Sequence, residues 1–356
     1  MSLAAAPALA FVQVDARTLA CVEGPLAPAA APPPDGTAFL APQFALDRAP
    51  QWWWVPRSPV RLVTLEEWSH RFPPHPNGGA GVPWEPPEQD RFRAAFESLQ
   101  PLLRSGQLAK GVPVTRMRAR ASADEAEGLF RQLLARVPTL PAGLMAYGLF
   151  LPAAGERGPE FIVGATPELL FETLPGHRIR TQAVAGTRPV AAGAEDALAA
   201  SAKDAVEHRA VVDDLLAQAG RWGSPRAGAT SVRRFGGLMH LVTEIDVEAP
   251  VAPAFEELVR ALHPTPALGV APRGAAGTAW LRSIDSAGDR RRFGAPFGIR
   301  WPSGEGRAVV AIRNVQCSNG SLEIWAGAGV VSASEAGTEW REILDKMEAV
   351  RTLWRL

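Results

Sequence analysis

The chain holds two cysteines in 356 residues, and Cys21 and Cys317 stand far apart. Neither takes part in a metal-ligand spacing, so the reading is a pair of reduced thiols and a cytoplasmic setting. Net charge is lacking too, since 37 acidic residues balance 37 basic ones. That leaves no overall field to attract nucleic acid or a membrane surface. No apolar run approaches the length of a membrane span. The first residues, MSLAAAPALAFVQVDAR, have no basic segment, and FVQV reads as a strand, not as the core of a signal peptide. No GxGxxG follows a strand, no GxxxxGK[ST] occurs, and there is no internal repeat or heptad run. These absences exclude the usual nucleotide-binding loops and the repeat folds.

What is present is an ordinary globular composition, 47% apolar and 21% charged. Residues 1–66 alternate short strand-like pieces (Ala10–Val14, Trp52–Val55, Val60–Val63) with Pro/Ala loops. Trp52, Trp53 and Trp54 read as core and sheet-face residues. The stretch 72–89, FPPHPNGGAGVPWEPPEQ, is too rich in proline and glycine for regular structure. It divides an N-terminal supporting layer, 1–88, from the main portion, 89–356, of a single domain. Phe92, Phe96, Leu99 and Leu103 recur at helical spacing, and Ser122 with Glu125 forms a capping box for a helix ending near Val137. Strands are expected at Val112–Met117, Leu144–Leu151, Phe161–Val163, Leu169–Thr173 and Ile179–Val184. Helices follow at Asp196–Ala219 and Ala254–Leu262, then strands at Ala308–Val315 and Leu322–Trp325. Strands in two batches, without βαβ alternation, indicate a mixed α/β or α+β chain built on largely antiparallel sheets.

The last stretch, Gly327–Lys346, begins as a small-residue turn and ends as a helix. Glu339, Glu342 and Lys346 fall on one side of that helix, and Trp340, Ile343, Leu344, Met347, Val350 and Trp354 fill the adjoining apolar face. Other polar residues stand in apolar surroundings: Lys110; GATPELLFE from Gly164; TQAVAGTRP from Thr181; KDAVEH from Lys203; MHL from Met239; ALHPTPALG from Ala261; and VVAIRN from Val309.

In this order and at these distances, from about Lys110 to Lys346, the segments resemble the chorismate-utilising enzymes. That family includes isochorismate synthase, salicylate synthase and the large chains of anthranilate and aminodeoxychorismate synthase. The resemblance implies the anthranilate-synthase-like fold, two packed, largely antiparallel sheets surrounded by helices. It implies attack on the chorismate ring at C2 and loss of the C4 hydroxyl. Glu168, in TPE, matches the family's general acid, and Lys110 its base on water. Glu207 and Glu342 match its Mg²⁺ ligands, with Glu339 lending charge. Arg313 matches the arginine that grips the enolpyruvyl carboxylate, and Lys346 would face a substrate carboxylate. Gly186, Thr187, Gly327, Ala328 and Gly329 would bring backbone N–H groups close. His240 resembles a family histidine near the ring and is expected to be catalytic, whereas His263 is expected to be structural.

Four positions speak to the member of the family. Lys110 stands where ammonia-using relatives have glutamine. Ala267 replaces the threonine, and Phe293 the tyrosine, of relatives that eliminate pyruvate. Ala185 replaces the nucleophilic lysine of aminodeoxychorismate synthases. The resemblance therefore implies an isochorismate synthase, a monomer that uses Mg²⁺ and needs no amidotransferase partner. A salicylate synthase, an anthranilate-type synthase and a silent binder with the same fold stay open.

Overall fold

The computed structural model describes residues 7–48, 51–74, 82–285 and 290–356. Two large antiparallel sheets carry the chain. The first has eight strands, in the order Arg61–Thr64, Thr18–Glu23, Leu9–Gln13, Met145–Leu151, Glu160–Thr166, Asn314–Ser318, Ser321–Gly327 and Val114–Arg120. The second runs Arg226–Ala227, Leu238–Glu248, Arg178–Pro189, Leu169–Leu174, Gly306–Val310, Pro296–Arg300, Ala38–Leu40, Trp53–Pro56 and Leu26–Ala29, with Ser231–Phe235 added on Leu238–Glu248. Strands from the first 64 residues enter both sheets.

Alternation along the strands builds the layers. Ala10, Val12, Tyr147 and Leu149 of the first sheet meet Phe39, Phe297, Ile299 and Val309 of the second, forming the core between the sheets. The opposite faces are covered by helices. Phe11, Ala146 and Phe150 point to the side of helices Gln89–Arg104, Ala123–Arg136 and Ala336–Trp354. Leu40, Phe171 and Val310 point to that of helices Ala202–Ala219 and Phe255–Leu262. Strands covered on both faces need apolar residues at nearly every position, which is why FIVGAT and GLMAYGLFL read as continuous runs.

Most expected elements form, including the Ser122–Glu125 capping box. Four differ. The strand expected at Ala308–Val315 is two strands, broken at Ala311–Arg313, where the chain leaves the second sheet for the first; Arg313 adopts φ 55° there. The helix expected from Asp196 is two helices, Ala194–Ala199 and Ala202–Ala219, because the Ser201 hydroxyl accepts from the Asp204 N–H and starts a new helix. Pro113 delays the strand to Val114, and Lys110–Gly111 pairs separately with Val270–Ala271. The strand from Arg178 runs on to Pro189 through a bulge at Gly186. Helices Leu65–Arg71 and Ala275–Ile284 and strand Leu238–Glu248 were not foreseen. Of the Pro/Gly-rich stretch 72–89, residues 75–81 lie outside the described residues. Its later part follows the sheet edge, with Glu85 and Glu88 N–H groups donating to Arg118 and Arg116 carbonyls.

The break at Ala311–Arg313 is pinned from below. The buried Tyr147 hydroxyl donates to the Ile312 carbonyl at 2.8 Å and accepts from Asn314 Nδ2 at 2.9 Å. Opposite Tyr147 is Gly164, where an added Cβ would lie 2.3 Å from that hydroxyl. Removing the hydroxyl orphans a buried carbonyl. Tyr147→Phe is therefore expected to lower unfolding free energy by about 1–3 kcal/mol, measured by urea denaturation.

Candidate active site

The chain passes from one sheet to the other at two neighbouring places, and each carries a functional side chain. Strand Glu160–Thr166 of the first sheet leads through Pro167 and Glu168 into Leu169–Leu174 of the second. Strand Gly306–Val310 leads back through Arg313 to Asn314–Ser318. The two crossings are bonded together: Val310 N–H donates to the Glu168 carbonyl at 3.0 Å, and Ala165 N–H to the Arg313 carbonyl at 3.3 Å. Beside them lies a small pocket, open to solvent at its mouth. Of the residues expected at the site, Glu168, Gly186, Thr187, Glu207, His240, Ala267, Phe293, Arg313, Gly327, Gly329 and Lys346 line it. Lys110, Ala328, Glu339 and Glu342 do not.

Glu168 is 2% exposed. Burial pushes its carboxyl up to about 7, against the pull of the Thr265 hydroxyl and of Lys110, Lys346 and Arg313. Near neutrality such a group can give a proton or take one. Thr265 Oγ1 donates to Glu168 Oε1 at 3.1 Å. This partner was not foreseen, although it lies within the ALHPTPALG segment; nothing in sequence spacing links it to a residue 97 positions away.

Arg313 Nη2 lies 3.2 Å from His240 Nε2, and His240 Nδ1 lies 3.1 Å from both the Gly186 carbonyl and Thr187 Oγ1. A guanidinium only donates, so Nε2 accepts and the proton sits on Nδ1. Burial, then Arg313 and Lys346, hold the imidazole well below its usual value, so it is neutral. Both nitrogens are thus engaged, one by Arg313 and the other by the Gly186–Thr187 turn. Burial lowers Arg313 to about 10, which leaves it charged at neutral pH.

At the pocket wall and behind it stand three glutamates and three lysines, of which Glu207 and Lys346 reach the wall. Glu207 Oε1 is 3.1 Å from Lys110 Nζ, Glu339 Oε1 is 2.5 Å from Lys203 Nζ, and Glu342 Oε1 is 2.6 Å from Lys346 Nζ. The Lys203–Glu339 pair ties two helices together. Burial works against the Glu207 charge, but Lys110, Lys346 and Lys203 outweigh it and hold the carboxyl low. Burial lifts Glu342; Lys346 opposes this, and the Glu207 and Glu339 charges add to it. Lys110 is wholly buried and stands behind Glu207, not at the pocket wall. Its strand pairs with Ala271, and Gly111 exchanges hydrogen bonds with Val330. Gly329 makes room for this pair: a Cβ there would sit 1.9 Å from Glu207 Oε1.

The small-residue turn is only partly as expected. Lys346 Nζ donates to the Gly327 carbonyl at 2.8 Å as well as to Glu342. Ala328 faces the core under the first sheet, and its N–H donates to the Pro113 carbonyl at 3.3 Å. That N–H is engaged within the fold, and Ala328 stands apart from the pocket lining. His263 is structural, with Nε2 2.7 Å from the Phe44 carbonyl.

Among the described residues, no three Asp, Glu, His or Cys side chains form a ready metal centre. The donor chemistry nevertheless suits a hard dication. Glu207 Oε2 and Glu339 Oε2 are buried without a hydrogen-bond partner, and Glu342 feels both neighbouring charges.

A model of the chorismate binding enzyme family matches residues 32–352. The salicylate biosynthesis isochorismate synthase of Pseudomonas aeruginosa is 31% identical over 82% of this chain and 60% of its own length. Anthranilate synthase component 1 of the same organism is 26% identical over 83% of this chain and 61% of its own. The chain thus spans about three-fifths of the length of these curated relatives. The structure of the menaquinone-specific isochorismate synthase of Escherichia coli covers 99% of this chain and 90% of its own, with TM-score 0.77 and 20% identity, a likeness of fold.

The raised Glu168 carboxyl has a cost in stability. Its value in the folded chain, about 7, exceeds the ordinary 4.5. The stability this proton brings is full below the ordinary value and is lost as pH rises through the folded one. Glu168→Gln removes that loss. At pH 8 the variant is expected to be the more stable by on the order of 3 kcal/mol, with the gap closing below pH ~4, as read by urea unfolding.

Proposed function

The chain belongs to the chorismate binding enzyme family, and from that premise we propose that it converts chorismate to isochorismate. The observation that carries this reading is one pocket lined by the Glu168 acid, the Arg313 fork, Lys346 and Glu207, with apolar Ala267 and Phe293 in its wall. Water adds to C2 of the ring and gives up a proton. The ring double bonds shift, and the C4–O bond breaks as Glu168 protonates the departing hydroxyl, so one water is consumed and one released. Protonation matters because hydroxide is a poor leaving group. Arg313, held by His240, suits the enolpyruvyl carboxylate, since a planar fork matches two oxygens.

Lys110 is the proposed base. Its amine is tied to Glu207, so the base role requires that carboxylate to be engaged elsewhere. Mg²⁺ held by Glu207 and Glu342, with Glu339 adding charge, would balance the ring carboxylate. The apolar Ala267 and Phe293 support stopping at isochorismate, since neither offers a hydroxyl beside the bound ring. The name of the Pseudomonas relative, an isochorismate synthase, agrees.

The test is incubation with chorismate and Mg²⁺ and chromatography of the product. Isochorismate without pyruvate is expected; salicylate with pyruvate, anthranilate with ammonia, or no conversion each overturns the reading. Chelation should abolish turnover and Mg²⁺ restore it. Lys110→Ala is expected to cut kcat by about 100-fold or more in protein that circular dichroism shows to be folded, and turnover at the parent rate would remove the base. Ala267→Thr is expected to raise pyruvate release, measured by a coupled lactate dehydrogenase assay; release at background would remove this position as the switch.

A further inference from the structure

Thr265 touches no part of the pocket, yet it holds the hydrogen bond made by the Glu168 carboxyl. It is 3% exposed and lies beyond helix Phe255–Leu262. Pro264 and Pro266 flank it, and prolines on both sides fix the local backbone. Its carbonyl accepts from the Leu268 N–H at 3.0 Å, which further ties down the turn. Glu168 is fixed as firmly: its N–H donates to Thr166 Oγ1 at 3.1 Å and its carbonyl accepts from Val310. Two rigid backbones thus present one hydroxyl to one carboxyl oxygen, Oγ1 to Oε1 at 3.1 Å. Among the described residues Glu168 Oε2 has no hydrogen bond of its own, and Glu168 lines the pocket.

We propose that Thr265 is the positioning residue of the Glu168 acid: its hydroxyl occupies Oε1, leaves the proton to Oε2, and sets the pH at which that proton is lost. The argument is one of donor and acceptor roles. A hydroxyl donating to Oε1 disfavours a proton on that oxygen, so the acid proton is carried by Oε2. The same bond is stronger to a carboxylate than to a carboxylic acid. It therefore opposes burial, which lifts the group, and keeps the ionisation near neutrality. Without it, burial alone would hold Glu168 protonated further into the alkaline range, with its proton free to sit on the wrong oxygen. The role rests on the acid assignment made above for Glu168.

The test compares the parent with Thr265→Val, which keeps the shape and loses the hydroxyl, and Thr265→Ser, which keeps the hydroxyl. Two readouts are taken: the pH dependence of kcat, and the infrared carboxyl band assigned to Glu168 by its absence in Glu168→Gln. In Thr265→Val the band's titration and the alkaline limb of kcat are both expected to move up by about one pH unit. The plateau kcat should fall about ten-fold with KM little changed. Thr265→Ser should follow the parent in both. If the Val variant melts early, Thr265→Ala, which only removes atoms, gives the same comparison. An infrared titration unmoved in the variants lacking the hydroxyl overturns the proposal. A band that moves while the kcat limb stays upholds Thr265 as the control on Glu168 and removes Glu168 as the acid, so the two failures are told apart.

Discussion

The site depends on two crossings between sheets being hydrogen-bonded to each other. One crossing carries Glu168 and the other Arg313, and the bonds from the Val310 N–H to the Glu168 carbonyl and from the Ala165 N–H to the Arg313 carbonyl fix their separation. A single crossing would be a loop free to drift. Two running in opposite directions, each continuous with strands already paired in both sheets, are as rigid as the sheets. Tyr147 and Asn314 brace the second crossing from the core between the layers. Glu168 and Arg313 therefore hold their geometry before any ligand arrives, and under the function proposed above such preorganisation is where electrostatic catalysis gains most.

Around this frame the charges nearly cancel. Each of three buried glutamates faces a lysine, and two of the pairs join different parts of the chain: Lys110 to Glu207 and Lys203 to Glu339. Breaking one pair would leave a buried charge uncompensated, so the arrangement resists piecemeal change. Arg313 stands outside these three pairs, against His240.

The sequence carried the architecture and much of the site. Strands covered on both faces show as apolar runs, and capping boxes show as Ser-x-x-Glu. The ordered motifs from Lys110 to Lys346 brought eleven of the expected residues to one pocket wall. What it concealed is of one kind. Arg313 looked like a strand residue, because its left-handed turn is written in no local signal. Lys203 stands one turn from Glu207 on its own helix, yet pairs with Glu339 on another. His240 gave no hint that its ring bridges Arg313 and the Gly186–Thr187 turn. Ala328 looked like part of a substrate cradle, but its N–H meets Pro113. Thr265 gave no sign at all. Residue types could be read from sequence, whereas partners across the fold could not.

Strand Val114–Arg120 closes one edge of the first sheet, and its neighbour there is Ser321–Gly327. During synthesis the earlier strand must wait, its ladder groups unpaired, until the later one has left the ribosome. Long-range pairing of this sort is slow, and an open edge can recruit other chains meanwhile. The charged residues that alternate along it, Arg116, Arg118 and Arg120, give the nascent chain a means of keeping strangers off that edge until its own partner is made.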